Sequence, residues 1–215
     1  MKFKFIASSL FLLISYFVIT PAQANETEQF ILGEHYIEIE GKQTSTPQVT
    51  EFFSFYCPHC YKAESFMSNV KKLLEQPSQF VKTHVDGMPG RSIEVEHLLT
   101  KALVTARLLN IEDKMVAVIF SYIHKGKADF STAKEVKNLF LLNGVDSVEF
   151  DKTFGSFKVN MTANTMRVKT SALRKQGIGS VPTLIINGKF KPNHQALKTQ
   201  KEYLELISFL LTKTA

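Results

Sequence analysis

Val49-Thr-Glu-Phe-Phe-Ser-Phe-Tyr-Cys57-Pro58-His59-Cys60-Tyr-Lys-Ala-Glu64 decides the fold: an apolar, aromatic-rich run ends in two cysteines spaced Cys-x-x-Cys, and a helical pattern begins at once. These two cysteines are the only ones in the chain. A strand that hands such a pair to a helix N-terminus presents a redox couple. The unpaired backbone N–H groups and the dipole of the helix favour negative charge at that end, so Cys57 is expected to sit largely as thiolate. Pro58 suits the first turn, where its missing N–H costs nothing. An imidazole at His59, protonated or donating, would stabilise the thiolate further.

Other uses of a Cys-x-x-Cys fit less well. Haem attachment needs His directly after the second cysteine, and position 61 is Tyr. Zinc needs two further ligands, and the sequence offers no second Cys-x-x-Cys or close His pair. A structural bridge across two residues closes too short a loop to stabilise much. Redox use therefore leads. Cys57, at the helix start and nearer solvent, is the expected nucleophile that shares a mixed disulfide with substrate, and Cys60, one turn inside, resolves it. The reacting group is then the Cys57–Cys60 disulfide, with no metal or separate cofactor.

Upstream, the chain opens Met1-Lys-Phe-Lys4, runs apolar from Phe5 to Ile19 and reads Pro21-Ala22-Gln23-Ala24. A basic head, an apolar core and an Ala-x-Ala site describe a secretory signal peptide, residues 1–24, cleaved after Ala24. A membrane span would want about 20 apolar residues. An exported protein usually spends cysteines on structural bridges. Here none are spare, so the pair is free for chemistry. The formal net charge of +6 falls to +4 once Lys2 and Lys4 leave with the signal peptide, an ordinary excess without the Lys/Arg runs interleaved with aromatics that point to nucleic acid.

Downstream, hydrophobic periodicity sets out the elements. His35–Glu40 alternates as an edge strand and Val49–Phe55 reads as a central one. A helix runs from Pro58 with Ala63, Phe66, Met67, Val70, Leu73 and Leu74 on one face, closed by Pro77, and Phe80–Val85 returns to strand. About eighty residues of helical pattern follow, including a Thr132-x-x-Glu135 capping box, a stop at Asn143-Gly144 and a break near Gly155. Strand character returns at Thr183–Ile186, Asn187-Gly188 signals a hairpin, Lys189–Lys191 supplies its second arm, and a final helix carries Leu197 to Leu211. The order β, β-α-β, helices, β-β-α gives the fold class: α/β, thioredoxin-like, with an inserted all-helical domain. The expected division is residues 25–86 and 170–215 for the two parts of the thioredoxin-like domain, and 87–169 for the insertion.

Glu51-Phe-Phe-Ser-Phe-Tyr-Cys-Pro-His-Cys-Tyr61, supported by Val181-Pro182-Thr183, resembles the DsbA family of periplasmic thiol:disulfide oxidoreductases. The resemblance implies a monomeric protein dithiol oxidase in the periplasm of a Gram-negative bacterium. Its substrates would be unfolded or newly exported cysteine-containing proteins, and a quinone-linked membrane oxidase of DsbB type would reoxidise it. It also implies that Pro182 is a cis-proline packed against the redox pair, leaving the main chain at Val181 to pair with an extended substrate beside His59. Glu51 and Lys82 would lie beneath the pair and assist proton movement at Cys60. Taken alone, each of these charges inside an apolar strand reads equally well as an edge or snorkelling residue. Met88 and Pro89 follow in the same register and are expected at the groove, with His84 a satisfied core histidine. The last helix departs from the family: where Met and Phe form an apolar groove wall, this chain has Lys198, Lys201, Glu202 and Glu205, with Gln195 and Thr199 in register.

Two other functions compete. A periplasmic reductase or isomerase could use the same fold, although bacterial isomerases carry a dimerisation segment for which nothing before Val49 leaves room. A non-enzymatic binding module could own a Cys-x-x-Cys without using it.

Overall fold

A computed structural model describes residues 29–213, so the expected signal peptide and its cleavage after Ala24 lie outside the described residues. Strands β1 (Tyr36–Glu38), β2 (Val49–Phe53), β3 (Phe80–His84), β4 (Thr183–Ile186) and β5 (Phe190–Pro192) form one sheet in the order β1-β5-β4-β2-β3. Helix α1 (Pro58–Lys71) carries the chain from β2 to its parallel neighbour β3. β4 runs antiparallel to both β2 and β5, and β1 pairs antiparallel with β5. Between β3 and β4 come five helices: α2 (Ile93–Leu108), α3 (Glu112–His124), α4 (Ala133–Leu142), α5 (Ser147–Phe154) and α6 (Phe157–Lys175). Helix α7 (Gln200–Thr212) ends the fold. This is the thioredoxin-like architecture with interposed helices that the element order predicts.

All of β2 is buried, as an interior strand with both faces covered should be. On one face Val49 packs with Phe66, Met67 and Val70 of α1 and with Leu206, Ile207 and Leu210 of α7. On the other, Phe52 and Ile185 meet Val85 and Leu173, the last from the far end of α6. A third cluster continues from Phe53 and Phe55 into the helices around Leu103, Met115, Phe120 and Phe140, and it includes both cysteines. The pair thus sits where the end of the sheet meets the helical region.

Local signals account for most boundaries. Thr132 caps α4, its Oγ1 accepting from Glu135 N while Glu135 Oε2 accepts from Thr132 N at 3.0 Å. Gly155 ends α5. Three expectations need correction. β2 stops at Phe53, not Phe55, because Ser54 turns the chain: its Oγ accepts from Tyr56 N and its carbonyl from Cys57 N, each at 3.1 Å. α1 stops at Lys71, and Pro77 opens a separate short 3-10 turn. Leu197 precedes α7, which starts at a Thr199–Glu202 capping box.

The β4–β5 turn does more than reverse the chain. Asn187 and Gly188 both hold positive φ (50° and 70°), as a type I′ turn requires, and a Cβ at Gly188 would come 2.6 Å from the Lys42 carbonyl. The buried Asn187 amide reaches the carbonyls of Leu210, Leu211 and Lys213 at 2.9–3.2 Å, and its Oδ1 accepts from Gln48 N at 2.9 Å. One turn residue therefore satisfies the open carboxyl end of α7. Asn187→Ala should lower stability by about 2–4 kcal/mol in urea unfolding, from stranded buried carbonyls plus an alanine at positive φ. Asn187→Gly should recover only the backbone part.

Candidate active site

Cys57 occupies the N-cap of α1 in extended geometry (φ −85°, ψ 113°), and its Sγ accepts the Cys60 N–H at 3.3 Å. Pro58 fills the first turn. Both cysteines are free thiols; Cys57 is the more exposed, but only at 3% against 0% for Cys60. The Cys60 thiol donating to the Cys57 sulfur opposes the cost of burial. With the backbone N–H groups of Cys60 and His59 and the charge of His59, it holds the Cys57 thiol at about 6. The same sulfur–sulfur hydrogen bond pushes the Cys60 thiol up, and burial and the charges of Cys57 and Glu51 push it further. One sulfur ionises readily while its neighbour keeps the proton. The His59 side chain itself stands exposed on the first turn.

Far away in sequence, Val181–Pro182 is a cis peptide bond, and the Val181 carbonyl lies 3.5 Å from Cys57 Sγ. The segment leads straight into β4, so the sheet fixes it beside the sulfur.

Glu51 and Lys82 face each other as register partners on β2 and β3. Lys82 does sit on an edge strand, since β3 ends the sheet, but neither side chain snorkels to solvent: they are 0% and 2% exposed. Lys82 Nζ donates to Glu51 Oε2 at 2.6 Å and to Glu64 Oε1 at 2.7 Å, and lies 4.5 Å from the centre of the Phe53 ring. Burial raises the Glu51 pKa against the pull of Lys82. Burial works to lower Lys82, but the two carboxylates overcome it and hold its pKa up. Glu51 Oε1 is buried without a hydrogen-bond partner, so the group is short of one proton or donor. Glu64 was not marked by the sequence reading. Its position one helical turn after Cys60, facing the sheet, is the signal that could have found it.

Two further contacts grip the residues just before Cys57, and no local pattern announces either. His124 Nε2 donates to the Phe55 carbonyl at 2.8 Å, with the ring stacked on Tyr61. The Tyr56 hydroxyl donates to Asp129, which also holds Arg91 at 2.8 Å, and the guanidinium lies 4.1 Å from the centre of the Tyr56 ring. His84 is a core histidine as expected, its Nδ1 2.8 Å from Thr100 Oγ1, though its Nε2 is buried without a partner.

A groove of about 690 Å³ opens beside the pair, between α1 and the segment around His194–Tyr203. His59, Val181 and Pro182 form its reactive end, and Gln195 and Thr199 also line it. Met88 and Pro89 do not line it; Met88 packs instead against the two apolar clusters on either side of Val181.

A thioredoxin-like sheet with interposed helices, and a Cys-Pro-His-Cys helix start beside a cis-proline, define a thiol:disulfide oxidoreductase. More narrowly, the chain belongs to the DSBA-like thioredoxin domain family, whose model matches residues 48–205. It is 32% identical over 196 residues to the thiol:disulfide interchange protein DsbA of Pectobacterium carotovorum subsp. carotovorum, covering 86% of this chain and 90% of that protein. Identity to DsbA of Escherichia coli strain K12 is 30%, with the same coverage of 86% and 90%. Among solved structures, Proteus mirabilis DsbA with a non-covalently bound peptide, PWATCDS, superposes with a TM-score of 0.75 at 26% identity, covering 86% of this chain and 99% of that one.

Removing the cation from the buried trio should show its cost. Lys82→Met leaves two carboxylates without their ammonium and should destabilise the protein by about 3 kcal/mol at pH 7 in urea unfolding. The carboxylate pKa values in the folded variant would then lie above their unfolded values. The penalty is therefore full above the folded pKa and fades as pH falls towards the unfolded one, so the loss should be smaller at pH 4.

Proposed function

We propose that this oxidoreductase works as a dithiol oxidase, donating the Cys57–Cys60 disulfide to newly exported cysteine-containing proteins in the periplasm of a Gram-negative bacterium. The observation that carries this direction is the Cys57 sulfur at the helix N-cap, held at about 6 by the donors around it. A sulfur stable as thiolate is a good leaving group, and its stability favours the reduced pair.

In the forward reaction a substrate thiolate attacks Cys57 Sγ, the Cys57–Cys60 bond breaks, and Cys60 leaves with the electron pair and takes up a proton. A second substrate thiolate then attacks the substrate sulfur of the mixed disulfide and expels Cys57 as thiolate. Two electrons pass to the cysteine pair and the substrate gains one disulfide. A quinone-linked membrane oxidase of DsbB type takes those electrons back.

In this reading Pro58 and His59 shape the thiolate end, and Val181 and Pro182 present main chain to an extended substrate. Glu51, with its unpartnered Oε1, exchanges the Cys60 proton, while Lys82 and Glu64 set its charge. The active chain would be a monomer that has lost residues 1–24. Residues 25–86 and 170–215 would make the thioredoxin-like domain, and 87–169 the helical insertion.

The thiolate absorbance of the reduced protein at 240 nm should titrate with a midpoint of about 6. Because the Cys60 hydrogen bond is the largest cause of that value, Cys60→Ala should raise the midpoint more than His59→Ala. A thiol pKa lowered on folding stabilises the reduced form above the ordinary thiol range and loses that stabilisation as pH falls through about 6. Reduced protein should therefore outlast oxidised protein in urea at pH 8, by a margin that shrinks at pH 5. Equilibration with glutathione decides direction: a pair still reduced at a strongly oxidising ratio supports the oxidase, and a pair oxidised in reducing buffer makes the protein a reductase.

A further inference from the structure

We propose that the groove beside the redox pair selects substrate segments carrying carboxylates near the reacting cysteine, a specificity that rests on the oxidase reading above. Its floor is apolar: Phe66 stacks on Tyr203 with ring centres 4.9 Å apart, and His194 tilts over the same tyrosine at 6.3 Å. Its rim is cationic. Lys62 on α1 and Lys198 ahead of α7 both line the groove and are exposed, and neither enters an ion pair among the described residues. Among the described residues, no Asp or Glu lines the groove.

The carboxylates nearest these lysines in sequence are engaged elsewhere. Glu64 is turned onto Lys82 at 2.7 Å. Glu202 accepts from Lys198 N at 2.6 Å and Thr199 N at 3.3 Å, so its charge is absorbed by the N-terminus of α7. Further out, Lys201 is matched by Glu205 at 3.7 Å. Two lysines without an ion-pair partner among the described residues therefore line the groove. An extended chain whose cysteine sits at Cys57 must run its flank past Val181 and Pro182 and along this rim. The matching occupant is a polypeptide with an apolar side chain for the Phe66–Tyr203 floor and carboxylates for Lys62 and Lys198.

The test compares three two-cysteine peptides, identical except for four flanking residues that are all Glu, all Gln or all Lys. Second-order rates of peptide oxidation by the disulfide form of the full chain are each divided by the rate with uncharged dithiothreitol. The Glu peptide should react about threefold or more faster than the Gln peptide at low salt, and the Lys peptide slower; about 0.5 M salt should level all three. In Lys62→Gln/Lys198→Gln the Glu advantage should vanish, and Lys62→Glu/Lys198→Glu should reverse the order. Equal rates for Glu and Gln peptides in the unaltered protein, or an advantage that survives in the double Gln variant, would overturn the groove's selectivity and leave the oxidase reading standing. Failure to oxidise any of the peptides, with dithiothreitol still reacting, would instead overturn the oxidase reading and this inference with it.

Discussion

At the start of α1 a sulfur atom stands where helices commonly place a serine or aspartate oxygen, and it receives the Cys60 N–H that such a cap would receive. The rest of the site depends on that substitution. A thiolate there carries full charge into the positive end of the helix and meets donors already aimed at it. When the sulfur is bonded to Cys60 instead, the charge is gone and the same donors face a nearly neutral atom. The fold thus favours the reduced pair without any group moving far. Pro58 keeps the first turn free of a competing donor, and Cys60 one turn inside the helix supplies the proton that the Cys57 sulfur shares.

Holding a sulfur at that point requires the chain just before it to be fixed, and the molecule does this from several sides. Ser54 turns β2 out of the sheet by accepting from Tyr56 and Cys57. His124 from α3 holds the Phe55 carbonyl, and Asp129 from the loop after α3 holds the Tyr56 hydroxyl. Both grips come from the segment interposed between β3 and β4, so that segment is part of the site's scaffold as well as its wall. Phe53, Phe55 and both cysteines share one apolar cluster with Leu103, Met115 and Phe120, which makes this coupling one of packing as well as hydrogen bonds.

The parts of this arrangement that depend on neighbouring residues could be read from the sequence. Cys-Pro-His-Cys after an apolar strand, the Thr132–Glu135 box and Asn187-Gly188 each encode a local geometry, and each appears in place. What escaped the reading depends on register and on helix rotation. Glu51 and Lys82 are marked only by the family resemblance: they become a buried pair because β2 and β3 align them as direct partners, and nothing in either strand alone states that alignment. Glu64 joins them only because α1 lies across the sheet with that face inward. Arg91, His124 and Asp129 reach the motif through loops and helix ends whose path no periodicity describes. Asn187 was legible as a turn residue, but its second task at the end of α7 depends on where that helix stops.

Beneath and beside the sulfur pair, the chain places opposite kinds of charge. The buried trio sets two carboxylates against one ammonium, and its least hidden member is Glu64, at 30% exposure against 0% for Glu51 and 2% for Lys82. Of the three, Glu64 is therefore the member open towards solvent. Negative charge at Glu51 raises the Cys60 thiol, the sulfur that must hold its proton while Cys57 ionises. Glu51 and His59 thus act on the two sulfurs in the same sense: the carboxylate keeps the inner one protonated, and the charge of the imidazole favours thiolate on the outer one, beside a groove rimmed by Lys62 and Lys198. The asymmetry between the two sulfurs is written into the charges around the pair as well as into its place on the helix.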